Sequence, residues 1–120
     1  MRVFFISFLV LNLLLECVAA IFLIGGPAGA FLDVHPENGN WVMNYGFAAI
    51  AIASAIFWVW PSRDNIHAVG SVLGILFTFH TLLFVSFAIQ GNQMAYMIVH
   101  GAMAALAAFL YSQRSRWCTN

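Results

Sequence analysis

The stretch VFFISFLVLNLLLECVAAIFLI, residues Val3–Ile24, decides the fold class of this chain. It is long enough to cross the roughly 30 Å hydrocarbon core of a bilayer as a helix. Three later stretches are similarly long and apolar: Trp41–Trp60, Ile66–Ile89 and Met94–Tyr111. The sequence therefore predicts an all-α integral membrane protein with one membrane domain, residues 1–120, and four transmembrane helices.

The composition agrees with this prediction. Hydrophobic residues make up 63% of the 120 residues, only 7% are charged, and lysine is absent. A water-soluble domain of this size has too much surface for its volume to bury so much apolar area. The formal net charge is zero and there is no basic run. Nucleic-acid binding, which needs clustered Lys and Arg, is excluded on this pattern.

The arginines predict the topology. Arg2 precedes the first stretch, Arg63 lies between the second and third, and Arg114 and Arg116 follow the fourth. The other connections, residues 25–40 and 90–93, contain no arginine. The positive-inside rule then places both termini in the cytoplasm and residues 25–40 in an outer loop. We expect an up-down four-helix bundle, N-in and C-in, in the inner (plasma) membrane.

Small residues predict where helices pack, because backbones in lipid approach closely only where side chains are short. Gly70 and Gly74 form a G-x-x-x-G step on the third helix, and Gly101 and Ala105 lie on the fourth. We expect these four residues at helix–helix contacts. Packing alone would explain them, so they carry no chemistry of their own.

Ionisable residues within the spans are the candidates for chemistry. Glu16, His80 and His100 fall at similar depths on three helices, counting about 1.5 Å per helical residue, and Asn12 lies one turn from Glu16. Polar groups at such depth are costly unless paired. The sequence predicts an intramembrane polar cluster of these four residues. Two interpretations stay open: a structural clasp in which Glu16 and a histidine satisfy each other, or a site for ligand binding or proton handling.

The two histidines also suggest a cofactor. The short connection Gln90–Gln93 should bring His80 and His100 to nearly equal depth, as two axial ligands of haem require. Haem or another tetrapyrrole is therefore the cofactor hypothesis. Against it, His80 shares a helical stripe with Phe77, Phe84 and Phe87, so its direction relative to His100 is open. No short ligand motif predicts a metal site.

The third helix looks suited to protein contact on both sides. One side is small and polar, whereas the His80 side is aromatic. This pattern motivates the hypothesis that a second polypeptide covers the His80 side. The alternative is that His80 turns inward and the phenylalanines meet acyl chains.

The layout resembles that of small four-helix membrane proteins of the DoxX-like group. The features that carry the resemblance are the four spans, Gly25-Gly26-Pro27, Asn44-Tyr45-Gly46 and the Arg63 connection. The resemblance implies an accessory role beside redox enzymes and transfers no catalytic residue.

These observations favour a non-catalytic accessory or assembly subunit that contacts lipids and either other membrane subunits or further copies of itself. The first alternative is an electron-transfer or light-harvesting subunit that binds haem or a pigment through His80 and His100. The second is a small transporter or proton-handling protein that uses Glu16. No catalytic residue is assigned, because the sequence contains no H-E-x-x-H motif, no phosphate-binding glycine loop and no plausible Ser-His-Asp set.

Overall fold

The computed structural model describes residues 1–25, 39–91 and 93–119, with side chains omitted at residues 25 and 39–41. Its helices are α1 (Arg2–Gly25), α2 (Gly39–Ala53), α3 (Ala55–Val59), α4 (Ile66–Gln90) and α5 (Met94–Gln113). Short 3-10 turns follow α3 at Trp60–Ser62 and α5 at Arg114–Arg116.

Four helical stretches in the described part of the chain are long and apolar enough to cross a membrane. They are Arg2–Ile24, Val42–Ser62, Ile66–Gln90 and Met94–Arg116. The predicted all-α class is therefore confirmed, and the four predicted stretches form helices long and apolar enough to span a membrane, as in a multi-pass membrane protein. Most of the predicted outer loop, residues 26–38, lies outside the described residues.

The second span differs from the prediction of one continuous helix. A turn at Ser54 separates α2 from α3. The Ser54 hydroxyl donates a hydrogen bond of 2.7 Å to the Ala51 carbonyl. Such local bonding by serine competes with the backbone ladder and bends helices. A hydropathy pattern does not carry this signal, which explains why the break was not predicted.

The ends of α4 follow from two residues beside it. The Asn65 side chain accepts hydrogen bonds of 3.0 Å from the backbone N–H groups of His67 and Ala68, which satisfies two donors of the first turn. At the other end, Gly91 has φ +72°, a conformation that glycine adopts without steric cost. Its N–H donates to the Phe87 carbonyl. The chain can then reverse into α5 within a few residues.

The chain divides into two compact units, each of which is described by itself. The first unit comprises Met1–Phe8 and Phe57–Asn120, and its core lies along α4 and α5. Six of its fully or almost fully buried apolar side chains are Val69, Leu73, Leu76, Met103, Ala107 and Leu110.

At one end of the first unit, three segments are tied together. Arg2 forms an ion pair of 2.7 Å with Asp64. The backbone N–H of Ile66 donates to the Thr119 carbonyl at 2.9 Å. The rings of Phe5 and Trp117 lie 5.0 Å apart. We call this group the end cluster; it joins the start of α1, the α3–α4 connection and the C-terminal tail.

Cys118 belongs to the same end. Partial burial raises the pKa of its thiol, and the charge of Asp64 raises it further, while Arg2 and Arg114 act in the opposite direction. Because the net effect is upward, the protonated thiol dominates near neutral pH. Cys17 and Cys118 are both free cysteines.

The second unit comprises Leu9–Ile56 and is built from α1 and α2. Its helices approach closely at Gly46, where a Cβ atom would lie 2.6 Å from Ile24 Cγ1 and 3.1 Å from Leu23 Cβ. A contact of 2.6 Å is essentially never seen for a real Cβ atom, so a larger residue at this position would force Ile24 to shift. Ala49 and Ala53 continue the close approach as buried small residues.

Candidate functional site

The candidate site in the first unit is the pair His80 and His100. His80 lies on α4 and His100 on α5, and the tight reversal at Gly91 brings the two helices back side by side. Both imidazoles are buried, with 0% and 5% of their surface exposed. The distance between His80 Nδ1 and His100 Nδ1 is 2.9 Å. The short connection predicts similar depths for the two residues, and the structure places them in contact.

A distance of 2.9 Å between two imidazole nitrogens is that of a hydrogen bond. One Nδ1 must carry the proton and donate it, while the other accepts it. The contact therefore requires two different tautomers: the donor ring has a bare Nε2 and the acceptor ring has a protonated Nε2. The hydrogen bond thus satisfies one buried polar atom on each helix while both rings stay neutral, which keeps the free-energy cost of burying them low.

Aromatic side chains enclose the pair. The ring of Phe79 stands edge-on to both imidazoles, with centroid distances of 5.2 Å to His80 and 6.4 Å to His100. Phe87 stacks on His100 at 5.6 Å and 23° between planes, and Tyr96 packs on Phe87 at 5.7 Å. This surrounding excludes water, so the hydrogen bond between the histidines has no solvent competitor.

The two imidazoles contact each other directly in this structure, with ring centroids 5.2 Å apart. Ligation of haem or another tetrapyrrole through His80 and His100 stays a prediction.

Asn12 and Glu16 lie one turn apart on α1 in the second unit. Both side chains are buried, each 1% exposed. Asn12 Nδ2 donates a long hydrogen bond of 3.4 Å to the Ile52 carbonyl, beside the break in the second span. Neither carboxyl oxygen of Glu16 has a hydrogen-bond partner in the described part of the chain.

The clasp interpretation, in which Glu16 and a histidine satisfy each other, stays a prediction. Within the first unit His80 has His100 as a hydrogen-bond partner, and the Glu16 carboxyl has none among the described residues. The grouping of Asn12 and Glu16 with the two histidines in one cluster stays a prediction.

The four residues predicted at helix contacts fall into two groups. Gly101 packs tightly, since a Cβ atom there would meet the Phe84 ring at 3.0 Å, and Gly70 lies beside Arg114 and Tyr111. Gly74, by contrast, has no atom within 4 Å of a Cβ position, and Ala105 is exposed. The first two pack within the first unit, while the other two leave surface free.

The phenylalanines of the third span also differ in their exposure. Phe77 and Phe84 are 42% and 37% exposed, whereas Phe87 is buried against His100. His80 itself is covered by residues of this chain. The burial of His80 agrees with the alternative in which it turns inward, and cover of this side of α4 by a second polypeptide stays a prediction.

Sequence reasoning did not assign Phe79 and Tyr96 to the surroundings of the pair. Tyr96 lies one turn before His100 and therefore shares its face of α5, a periodicity that could have identified it. Phe79 is the neighbour of His80 along the chain, and periodicity gives no reason for its ring to reach both imidazoles.

No protein-family model, curated protein or solved structure matches this chain.

Proposed function

We propose that this chain is a non-catalytic accessory or assembly subunit that packs through its helix surfaces against other membrane subunits or further copies of itself. The observation that carries the proposal is the outer face of α5. Ala102 and Ala105 are exposed there, although small residues in lipid are typical of close helix–helix contacts.

The outer face of α5 has the spacing of a helix-docking stripe. Its exposed residues recur at intervals of three and four: Ala95, Ile98, Ala102, Ala105, Phe109 and Ser112. The opposite face, which includes His100, Met103 and Ala107, is buried. Exposed alanines separated by larger apolar side chains provide the alternation of hollows and knobs that a neighbouring helix needs.

The proposed arrangement in the membrane is an up-down bundle with both termini in the cytoplasm of an inner (plasma) membrane. The end cluster supports this topology, because the Arg2–Asp64 ion pair and the Ile66–Thr119 hydrogen bond hold both chain ends beside the α3–α4 connection. Arg63, Arg114 and Arg116 lie in these same segments, and positive residues favour the cytoplasmic side.

Two further observations support a non-catalytic role. The titratable pair His80 and His100 is engaged in its own hydrogen bond and enclosed by aromatic rings, so neither ring is placed to meet a substrate. The resemblance in layout to the DoxX-like group also favours an accessory role.

Site-specific photo-crosslinking tests the proposal. A photoreactive residue placed at Ala105 should crosslink a defined protein in native membranes, whereas the same residue at Ala88, an exposed alanine on α4, should not. Ala105→Leu should abolish co-purification of that protein in mild detergent, and Ala88→Leu should preserve it. Crosslinking to lipid alone at both positions would contradict the proposal.

A second candidate function, proton handling by Glu16, is favoured by one observation. Both carboxyl oxygens of Glu16 are buried without a hydrogen-bond partner among the described residues, and unpaired ionisable groups at membrane depth are often functional. Proteoliposomes test this candidate: Glu16→Gln should abolish any proton flux that the wild-type protein supports. Equal flux in both proteins would exclude Glu16 as the proton carrier.

A further inference from the structure

A groove opens on the surface of the first unit between α4 and α5. It has a volume of about 790 Å³ and is lined mainly by apolar surface from Gly70, Gly74, Phe77, Leu82, Ala108 and Tyr111. The groove is open at Gly74, which provides no side chain to fill it; a Cβ atom there would meet nothing within 4 Å. Its volume falls in the range of small-molecule binding sites.

The length of the groove matches one lipid leaflet. From Gly70 to Leu82 a helix rises about 18 Å, close to half of the roughly 30 Å hydrocarbon core. The groove starts next to the chain end that carries Arg114 and extends toward the middle of the span. A single acyl chain fits this length, whereas a transmembrane helix would contact a surface that continues further across the membrane.

Arg114 lies beside Gly70, at the end of the groove nearest the C-terminal tail. Its guanidinium carbon lies 3.7 Å from the centroid of the Tyr111 ring, and its Nη1 donates to the Tyr111 carbonyl at 2.7 Å. A Cβ atom on Gly70 would be 3.3 Å from Arg114 Nε. Stacking on the ring and the hydrogen bond to the backbone hold the guanidinium over the groove in one orientation.

The charge of Arg114 is not neutralised within the described part of the chain. Asp64 at the same end pairs with Arg2, and no carboxylate among the described residues pairs with Arg114. A guanidinium offers five N–H donors in a planar fork, which suits phosphate oxygens.

We propose that this groove binds one anionic phospholipid, with an acyl chain lying along Gly70 and Gly74 and the headgroup phosphate on Arg114. The apolar channel of one-leaflet length and the oriented cation at headgroup level are the two parts of such a site, and basic pockets between transmembrane helices are known to bind anionic headgroups. The groove is a different surface from the outer face of α5, so the lipid proposal can be tested separately from the accessory role.

Native mass spectrometry tests the proposal. The purified full-length protein is supplied with equal amounts of phosphatidylglycerol and phosphatidylcholine, and the lipid retained on it is counted. The wild-type protein should retain phosphatidylglycerol preferentially. Arg114→Gln should weaken that retention about fivefold, and Arg116→Gln, the matched control, should weaken it less. Equal retention of both lipids by the wild-type protein, or equal effects of the two variants, would overturn the proposal.

Filling the groove provides a second test. Gly74→Leu should reduce retention of both lipids, because its side chain occupies the acyl channel, and Ala88→Leu on the same helix should leave retention unchanged. Thermal unfolding of each variant establishes that it is folded. If Gly74→Leu changes the oligomeric state but not lipid retention, a helix occupies the groove and the lipid proposal is wrong. Ala105→Leu should leave lipid retention unaltered.

Discussion

The two units differ in two properties: how well their buried polar groups are hydrogen-bonded, and how closely their helices pack. In the first unit the buried polar groups on α4 and α5 satisfy each other, since His80 and His100 share a hydrogen bond of 2.9 Å, but an open groove remains at Gly74. In the second unit the helices pack as closely as backbone allows at Gly46, but the buried carboxyl of Glu16 has no hydrogen-bond partner in the described structure.

The comparison shows that close packing and polar satisfaction are separate requirements in lipid. Packing depends on side-chain volume at helix crossings, and satisfaction depends on complementary donors and acceptors. A unit can meet one requirement and miss the other. Where a requirement is missed, at Gly74 or at Glu16, the molecule has a feature that a purely structural role does not explain.

Breaking the histidine pair should have the largest effect. His80→Ala leaves the His100 Nδ1 atom buried without its partner, and we expect a loss of about 2 kcal/mol in the free energy of unfolding. His100→Ala should behave alike, and the double variant should lose less than the sum of the two. Thermal or denaturant unfolding in detergent measures these values, with the exposed His67→Ala as the control. Strict additivity would contradict the pairing.

Adding a methyl group at Gly46 and, in a second variant, at Gly74 should distinguish the close packing in the second unit from the open groove in the first. Gly46→Ala should cost about 1 to 2 kcal/mol, since its Cβ atom would meet Ile24 at 2.6 Å. Gly74→Ala should be neutral or stabilise the protein by up to about 1 kcal/mol, because helix propensity improves and nothing is displaced. The same unfolding measurement compares them. Similar losses at both positions would show that the groove at Gly74 is filled in the membrane.

Replacing Glu16 should give the smallest effect, and of opposite sign. Glu16→Met removes a buried carboxyl that lacks a hydrogen-bond partner and keeps a similar volume, so we expect about 1 kcal/mol of added stability. Glu16→Gln should change stability little. Unfolding in detergent again provides the values. A clear loss in Glu16→Met would mean that the carboxyl has a stabilising partner beyond the described contacts.

Most of the fold follows from the sequence, because crossing a bilayer imposes a length and an apolar composition that hydropathy detects directly. The similar depth of His80 and His100 also follows, since a short connection fixes the register of two antiparallel helices, but their contact does not, because the sequence leaves the direction of His80 open. The break at Ser54 does not follow, because it depends on a local hydrogen bond from the Ser54 hydroxyl to the Ala51 carbonyl.

The distinction between packed and open small residues could not be predicted either. Gly46 and Gly74 are both glycines within apolar helices and look alike in the sequence. They differ only in the folded structure, where Ile24 lies against Gly46 and no atom lies within 4 Å of a Cβ position on Gly74. The stacking of Arg114 on Tyr111 could not be predicted for the same reason. The charge pattern places Arg114 near a membrane boundary, but it does not determine the direction of the side chain.

The end cluster also has a consequence for biosynthesis. Its parts are synthesised in the order Arg2 and Phe5, then Asp64, then Trp117 and Thr119. The Arg2–Asp64 pair can therefore form before Trp117 and Thr119 are made, whereas the ring contact of Phe5 and the backbone hydrogen bond of Ile66 require those two residues. Closure of this end is thus coupled to synthesis of the segment that follows the last span.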